Sequence, residues 1–243
     1  MTGSGYASVS LDSVESTAGP DATSVDTRTA TFTTRLGCQH TTVAGYRLRD
    51  GDSVELSAEE EQVCVPIGGS ESLTLGETVT VPPDGVGRIP AGVTGPVRSD
   101  GAVSLFVVGA AASPTPDALP EAISLGDRSF TLPSTSDIAT ARLTEVLGCH
   151  GMKVNARVLE PGDVVPYHTE GDQEELFVPV SGPASMRIAD TTYETPPGTV
   201  VRVAPEVPRS ALNDGTTDAV WVMFGAPPTG GPDEWDPGAE ILG

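Results

Sequence analysis

LGCQHTTVAGYRLRDGD, beginning at Leu36, and LGCHGMKVNARVLEPGD, beginning at Leu147, are two copies of one pattern. Leu36 and Leu147, Gly37 and Gly148, Cys38 and Cys149, Val43 and Val154, Leu48 and Leu159, Gly51 and Gly162, and Asp52 and Asp163 all stand 111 residues apart. Downstream, after a two-residue length difference, VPIGG at Val65 matches VPVSG at Val178. PPDGVGRIPAGV at Pro82 then matches PPGTVVRVAPEV at Pro196, setting Arg88 against Arg202, and LFVVGA at Leu105 matches VMFGA at Val222. The starts agree too, with SVSL at Ser8 and AISL at Ala122. Matches in so constant an order mean a tandem duplication. Its seam lies in the Pro/Ala/Ser-rich stretch from Ala111 to Ala122. Two units are predicted, residues 1–114 and 115–243.

Each unit reads as short strands. Val154-Asn155-Ala156-Arg157-Val158-Leu159, Met186-Arg187-Ile188, Val201-Arg202-Val203 and Val220-Trp221-Val222 alternate apolar and polar residues, the pattern of half-buried strands. Pro161-Gly162 and Pro197-Gly198 mark turns between them. The 28 glycines and 22 prolines are spread along the chain, which breaks it into short elements, and helix-period apolar runs are scarce. The predicted class is all-β, with about eight strands per unit, the size of a jelly-roll barrel.

Charge narrows the partners. Asp and Glu number 34 against 13 Lys and Arg, a formal net charge of -21, and Lys153 is the single lysine. Such an excess repels itself in dilute buffer but is screened at molar salt, so the composition points to a halophilic protein of a salt-rich cytoplasm. No basic patch exists to neutralise phosphates, which argues against nucleic acid. No apolar run approaches a membrane span, and Met1–Ser10 lacks the features of a signal peptide. A soluble cytoplasmic protein, monomer or homodimer, is expected. Three widely spaced cysteines, Cys38, Cys64 and Cys149, form neither a disulfide framework nor a CxxC metal pattern. Cys38 and Cys149 are expected to pack as small apolar groups. The ending GPDEWDPGAEILG, with Trp235 and Ile241-Leu242, is expected to strap across a barrel.

The second unit resembles a known family. PGDVVPYHTEGDQEELFVPVSG, from Pro161 to Gly182, is similar to the first motif of the cupin superfamily: Gly, five residues, His-x-His, three or four residues, Glu, six residues, Gly. Gly162, His168, Glu175 and Gly182 stand at those places, with Glu170 where the second histidine belongs. APEVPRSALND, from Ala204, is similar to a worn second motif, Arg209 taking the place of its histidine and Asn213 that of its asparagine. The resemblance implies two double-stranded β-helix barrels in tandem, a bicupin. It specifies fold far better than function.

In a typical cupin, histidines and a glutamate from neighbouring strands hold a divalent metal inside the barrel. Carried onto this chain, that gives His168, Glu170 and Glu175 as ligands for Fe, Mn, Ni, Cu or Zn; residues 168 and 170 face one side because strand side chains alternate. Arginine cannot ligate a metal. The competing reading is therefore metal-free, with Arg209 bridging Glu175 or Glu170 as a buried pair and Arg209, Glu175 and Tyr167 binding a small polar or carboxylate molecule. The first unit has eroded further. Gln62 stands for Glu175, Gly95 for Arg209, and LSAEEEQ has no histidine; Glu59, Glu60 and Glu61 read as an acidic surface turn. The expected function is small-molecule binding or an accessory role. The alternative is a metal-dependent enzyme of dioxygenase or sugar-isomerase class acting from the second barrel, and whether the chain is an enzyme stays open.

Overall fold

The computed structural model describes residues 2–3, 5–14, 28–115, 118–126, 138–229 and 232–236. Strands dominate, in four antiparallel sheets of seven, six, five and four strands. Two short helices, Thr33–Leu36 and Leu143–Leu147, stand at the repeated Leu-Gly-Cys. Each stops at a glycine, Gly37 at φ 68° and Gly148 at φ 66°, in the left-handed region that side chains disfavour. The N–H groups of Cys38 and Cys149 then close on the carbonyls of Thr33 and Thr144. The repeated motif is thus a helix stop ahead of the strands Thr41–Leu48 and Lys153–Leu159. None of the helices among the described residues is long and apolar enough to cross a membrane.

The two large sheets are built alike. One runs in the order Glu121–Ser124, Gly85–Ile89, Glu61–Ile67, Val103–Ala110, Thr41–Leu48, Arg28–Thr31. The other runs Thr2–Gly3, Tyr6–Ser10, Thr199–Val203, Glu174–Ser181, Ala219–Ala226, Lys153–Leu159, Ala139–Arg142. Equivalent strands hold equivalent places, except that the leading strands are exchanged. Tyr6–Ser10 pairs with the second unit's Thr199–Val203, and Glu121–Ser124 pairs with the first unit's Gly85–Ile89. The register is the same in both, Ala7 facing Arg202 and Glu121 facing Arg88. Each exchange covers a sheet edge whose N–H and C=O groups would otherwise lie open.

Three cores make four layers. Between the large sheets, Val43, Val65, Phe106 and Val108 pack with Val154, Leu176, Val222 and Phe224; truncating Phe106 or Phe224 to alanine there costs about 3–5 kcal/mol. Phe177, Met186 and Trp221 fill the space between the seven- and five-stranded sheets. Cys64, Leu73 and Leu105 do so between the six- and four-stranded sheets. Alternation sends odd residues of a strand to one core and even residues to the other. Along Lys153–Leu159, Val154 and Ala156 enter the central core, which leaves 153, 155 and 157 for the second barrel. The five-stranded sheet includes Tyr167–Glu170, whose edge is paired by the backbone of Pro232–Asp236. The ending therefore does strap a barrel, while Ile241 and Leu242 lie outside the described residues.

One expectation is corrected here. Glu61 is not part of an acidic surface turn: it is fully buried. It opens the strand Glu61–Ile67, every residue of which is enclosed between sheets, and Arg88 donates to it at 2.8 and 3.0 Å. Glu59 is exposed and Glu60 half-buried, accepting a hydrogen bond from the Thr42 hydroxyl.

Candidate functional site

His168 and Glu170 come from the strand Tyr167–Glu170, and Glu175 from Glu174–Ser181. The first strand buries alternate residues, 168 and 170, as its two-residue period requires. The histidine Nε2 lies 3.5 Å from Glu170 Oε1 and 3.8 Å from Glu175 Oε2. One ligand atom from each of the three residues falls within 4.8 Å of the others. On the far side of the ring, Nδ1 is 2.7 Å from the Pro166 carbonyl. A carbonyl only accepts, so Nδ1 carries a proton. The other ring nitrogen, Nε2, faces the two carboxylates. Three possible metal-ligand atoms converge on one point.

These residues open onto a cavity of about 450 Å³. Its other wall carries Arg142, Lys153 and Arg157. The Arg157 Nε and Nη1 are buried without a hydrogen-bond partner among the described residues, as is Glu170 Oε2. Burial pulls the Arg157 guanidinium below its ordinary value, and Glu175 and Glu170 pull it back up.

Arg209 is wholly buried and faces His168 across the strand pair. Its Nε donates to Glu175 Oε2 at 3.0 Å, and its Nη1 donates to the carbonyls of Pro205 and Val207. It holds Glu175 from behind and does not line the cavity. Tyr167 is turned to the opposite face of its strand. Its hydroxyl donates to the Ala189 carbonyl, and Arg187 lies 4.5 Å from its ring centre. Asn213 ties loops, its Nδ2 donating to the carbonyls of Leu159 and Thr217, while its own carbonyl accepts from the Gly162 N–H.

No family model matches the sequence, and no curated protein matches it. Solved structures do. A variant of Bacillus subtilis oxalate decarboxylase superposes with a TM-score of 0.68 at 13% identity, over 93% of this chain and 78% of that one. A putative glyoxylate-induced protein from Pseudomonas aeruginosa superposes with a TM-score of 0.71 at 18% identity, over 92% of this chain and 88% of that one. The fold is that of the cupins.

Within this cupin fold the two barrels differ at matched positions. Asn155 pairs with Met223 and Ala44 with Val107, which aligns the walls. Arg157 then corresponds to Tyr46, Lys153 to Thr42 and Met223 to Val107. Tyr46, Leu105 and Val107 belong to the apolar filling of the first barrel. The three cavity cations went unnoticed in the sequence, although a signal was there. Lysine and arginine at positions 153 and 157 alternate with the apolar residues of the central core, so they must face into a barrel. The cysteines are free. Burial pushes their thiols up, Cys38 to about 11 and Cys64 and Cys149 to about 12, so none is an activated nucleophile.

Proposed function

We propose that the second barrel holds one divalent cation on His168, Glu170 and Glu175 and uses it to bind a small polar or carboxylate molecule, with the first barrel as its scaffold. The observation that carries this reading is the meeting of the His168 ring with two carboxylates, one ligand atom of each lying within 4.8 Å of the others. Two facing carboxylates repel one another unless positive charge lies between them, and Glu170 Oε2 is buried without a hydrogen-bond partner among the described residues. One imidazole and two carboxylates suit Mn, Fe, Ni, Cu or Zn, and three protein ligands leave positions for a bound molecule. The Bacillus subtilis oxalate decarboxylase, whose Mn(II) centres have been studied, supports the choice of a divalent ion. When bound, the ion supplies Lewis acidity and a charge on which an oxygen ligand docks. Arg209 fixes Glu175, and the Pro166 carbonyl fixes the histidine tautomer.

A second reading, an enzyme acting from the same barrel, draws on the cavity of about 450 Å³ beside the triad, which leaves room for a substrate. Elemental analysis of protein purified in high salt without an affinity tag tests the shared premise. About one ion per chain is expected, lost in His168→Ala. Protein that stays metal-free after incubation with Mn(II) and Zn(II) would sink the proposal in favour of an imidazolium held between the two carboxylates.

A further inference from the structure

We infer that the second-barrel cavity is built for a short ligand carrying two acid groups, bound by Arg157 toward its floor and by Arg142 and Lys153 toward its mouth. The inference rests on the ligand-binding reading above and specifies the class of ligand.

The strands fix where the cations stand. Lys153 and Glu175 both pair with Gly225, and Arg157 pairs with Trp221, four residues further along the same strand. Residues 153, 155 and 157 share a face, and Arg142 joins it opposite Asn155. Four residues of strand span about 13 Å, so charges are offered at two levels of one wall.

The repeat provides a comparison inside the molecule. The strand Arg28–Thr31 pairs with Thr41–Leu48 as Ala139–Arg142 pairs with Lys153–Leu159, and Thr31 faces Ala44 where Arg142 faces Asn155. At the three cavity positions the first unit therefore has Thr31, Thr42 and Tyr46. The second has Arg142, Lys153 and Arg157, in a chain with only 13 cations and one lysine. Nothing in the shared fold demands cations there, because the first unit forms the same sheet without them.

Arg157 also has unused donors. Its Nε and Nη1 are buried and have no hydrogen-bond partner among the described residues. They flank Nη2 in the planar fork, so an acid group approaching either edge of Nη2 also satisfies one of them. Among the described residues that line the cavity, Arg142, Lys153 and Arg157 balance Glu145, Glu170 and Glu175. A divalent ion adds a surplus of two positive charges, and a dianion cancels it. A neutral ligand or a monoanion leaves more charge unpaired in a confined space.

Isothermal titration of the Mn(II)-loaded full chain, at one fixed KCl concentration, tests this with malonate and succinate against acetate and malonamide. At least one dicarboxylate is expected to bind ten-fold or more tighter than acetate, with no measurable binding of malonamide. Arg157→Gln is expected to weaken the dicarboxylate ten-fold or more. The double variant Arg142→Gln/Lys153→Gln, at an exposed and a half-buried position that tolerate the change, is expected to reduce its affinity to that of acetate. Elemental analysis of each variant should still find the ion. Acetate or malonamide binding as tightly as the dicarboxylates overturns the inference, as does undiminished dicarboxylate binding in the double variant. Loss of the ion in His168→Ala with the dicarboxylate preference intact upholds it, whereas wild-type protein that binds the ion but shows no such preference defeats it alone.

Discussion

Glu174 of the second repeat accepts two hydrogen bonds from Thr41 of the first, from its N–H at 2.9 Å and its hydroxyl at 2.8 Å. The same carboxylate takes the N–H groups of Gln39 and His40 and is clamped by the Arg202 guanidinium. Its repeat equivalent, Glu61, is clamped by Arg88 and accepts the N–H groups of His150 and Gly151. Each unit thus caps the first residues after the other's helix, and the two buried pairs lock the sheets back to back. The matched Arg88 and Arg202 of the repeat are the arms of these two latches.

The Glu174 latch makes stability depend on acid. Burial pushes the Glu174 carboxyl up, but the N–H groups of Gln39 and His40, the Thr41 hydroxyl and Arg202 outweigh it and hold it below its ordinary 4.5. A carboxyl depressed by folding contributes stability that is present above its unfolded value and is lost as pH falls through the folded one. Glu174→Gln should therefore flatten the fall in unfolding free energy below about pH 4.5. Glu174→Ala, which strands Arg202, should cost about 3–5 kcal/mol at neutral pH. Urea unfolding from pH 3 to 7 checks both. An unchanged acid slope in the glutamine variant would remove the latch from the account.

Arg209 gives effects of opposite sign. It is wholly buried against Glu175, so Arg209→Gln leaves a carboxylate without its partner and should lower stability by about 3–5 kcal/mol. It also removes a positive charge from beside the ligand triad, and a unit charge about 4 Å away is worth about 4 kcal/mol at an effective dielectric of 20. Divalent-cation affinity should therefore rise by at least about ten-fold, and by as much as about a thousand-fold at the full ~4 kcal/mol, while the fold weakens. Metal titration followed by urea unfolding of the same samples measures the two separately. Weaker metal binding in the variant would mean that Arg209 supports the ion through Glu175.

The formal charge of -21 bears on stability as well. We propose that self-repulsion among the acidic groups is relieved by screening, so the unfolding midpoint should climb steadily between 0.1 and 2 M KCl. Comparing KCl with sucrose at matched water activity isolates screening from general exclusion. A midpoint that responds to sucrose but not to KCl would contradict the high-salt reading.

What the sequence disclosed and what it hid have physical reasons. Pairs such as Cys38 with Cys149 and Arg88 with Arg202 reveal the duplication because identity at a fixed offset needs no structure to be seen. His168 and Glu170 fall on one face because alternation is a local property. Tyr167 shares their stretch but belongs to the other face, and the same alternation could have removed it from the candidate ligand set. Glu61 looked like one of three surface acids, since nothing local separates it from Glu59; its burial depends on a sheet 90 residues away. Arg157 was visible as an inward-facing cation on a strand, but its company with Arg142 and Lys153 is set by pairing between strands. Likewise SVSL at Ser8 matched AISL at Ala122, yet a strand's own pattern does not name its partner.

That last point yields a prediction about where the N-terminus matters. Tyr6–Ser10 is paired with Thr199–Val203 of the second unit, and Ala7, Val9 and Leu11 are buried in the central core. Deleting residues 1–10 should open the edge of the seven-stranded sheet next to Glu174–Ser181, the strand that carries Glu175. The damage should appear in the second unit, although the cut is at the start of the first. Hydrogen exchange should accelerate across Thr199–Val203, while Gly85–Ile89, covered by Glu121–Ser124, keeps its protection. Buried amides open with the element that shields them, so the two strands report on the two exchanges independently. Faster exchange in Gly85–Ile89 with Thr199–Val203 unaltered would mean that each unit keeps its own leading strand.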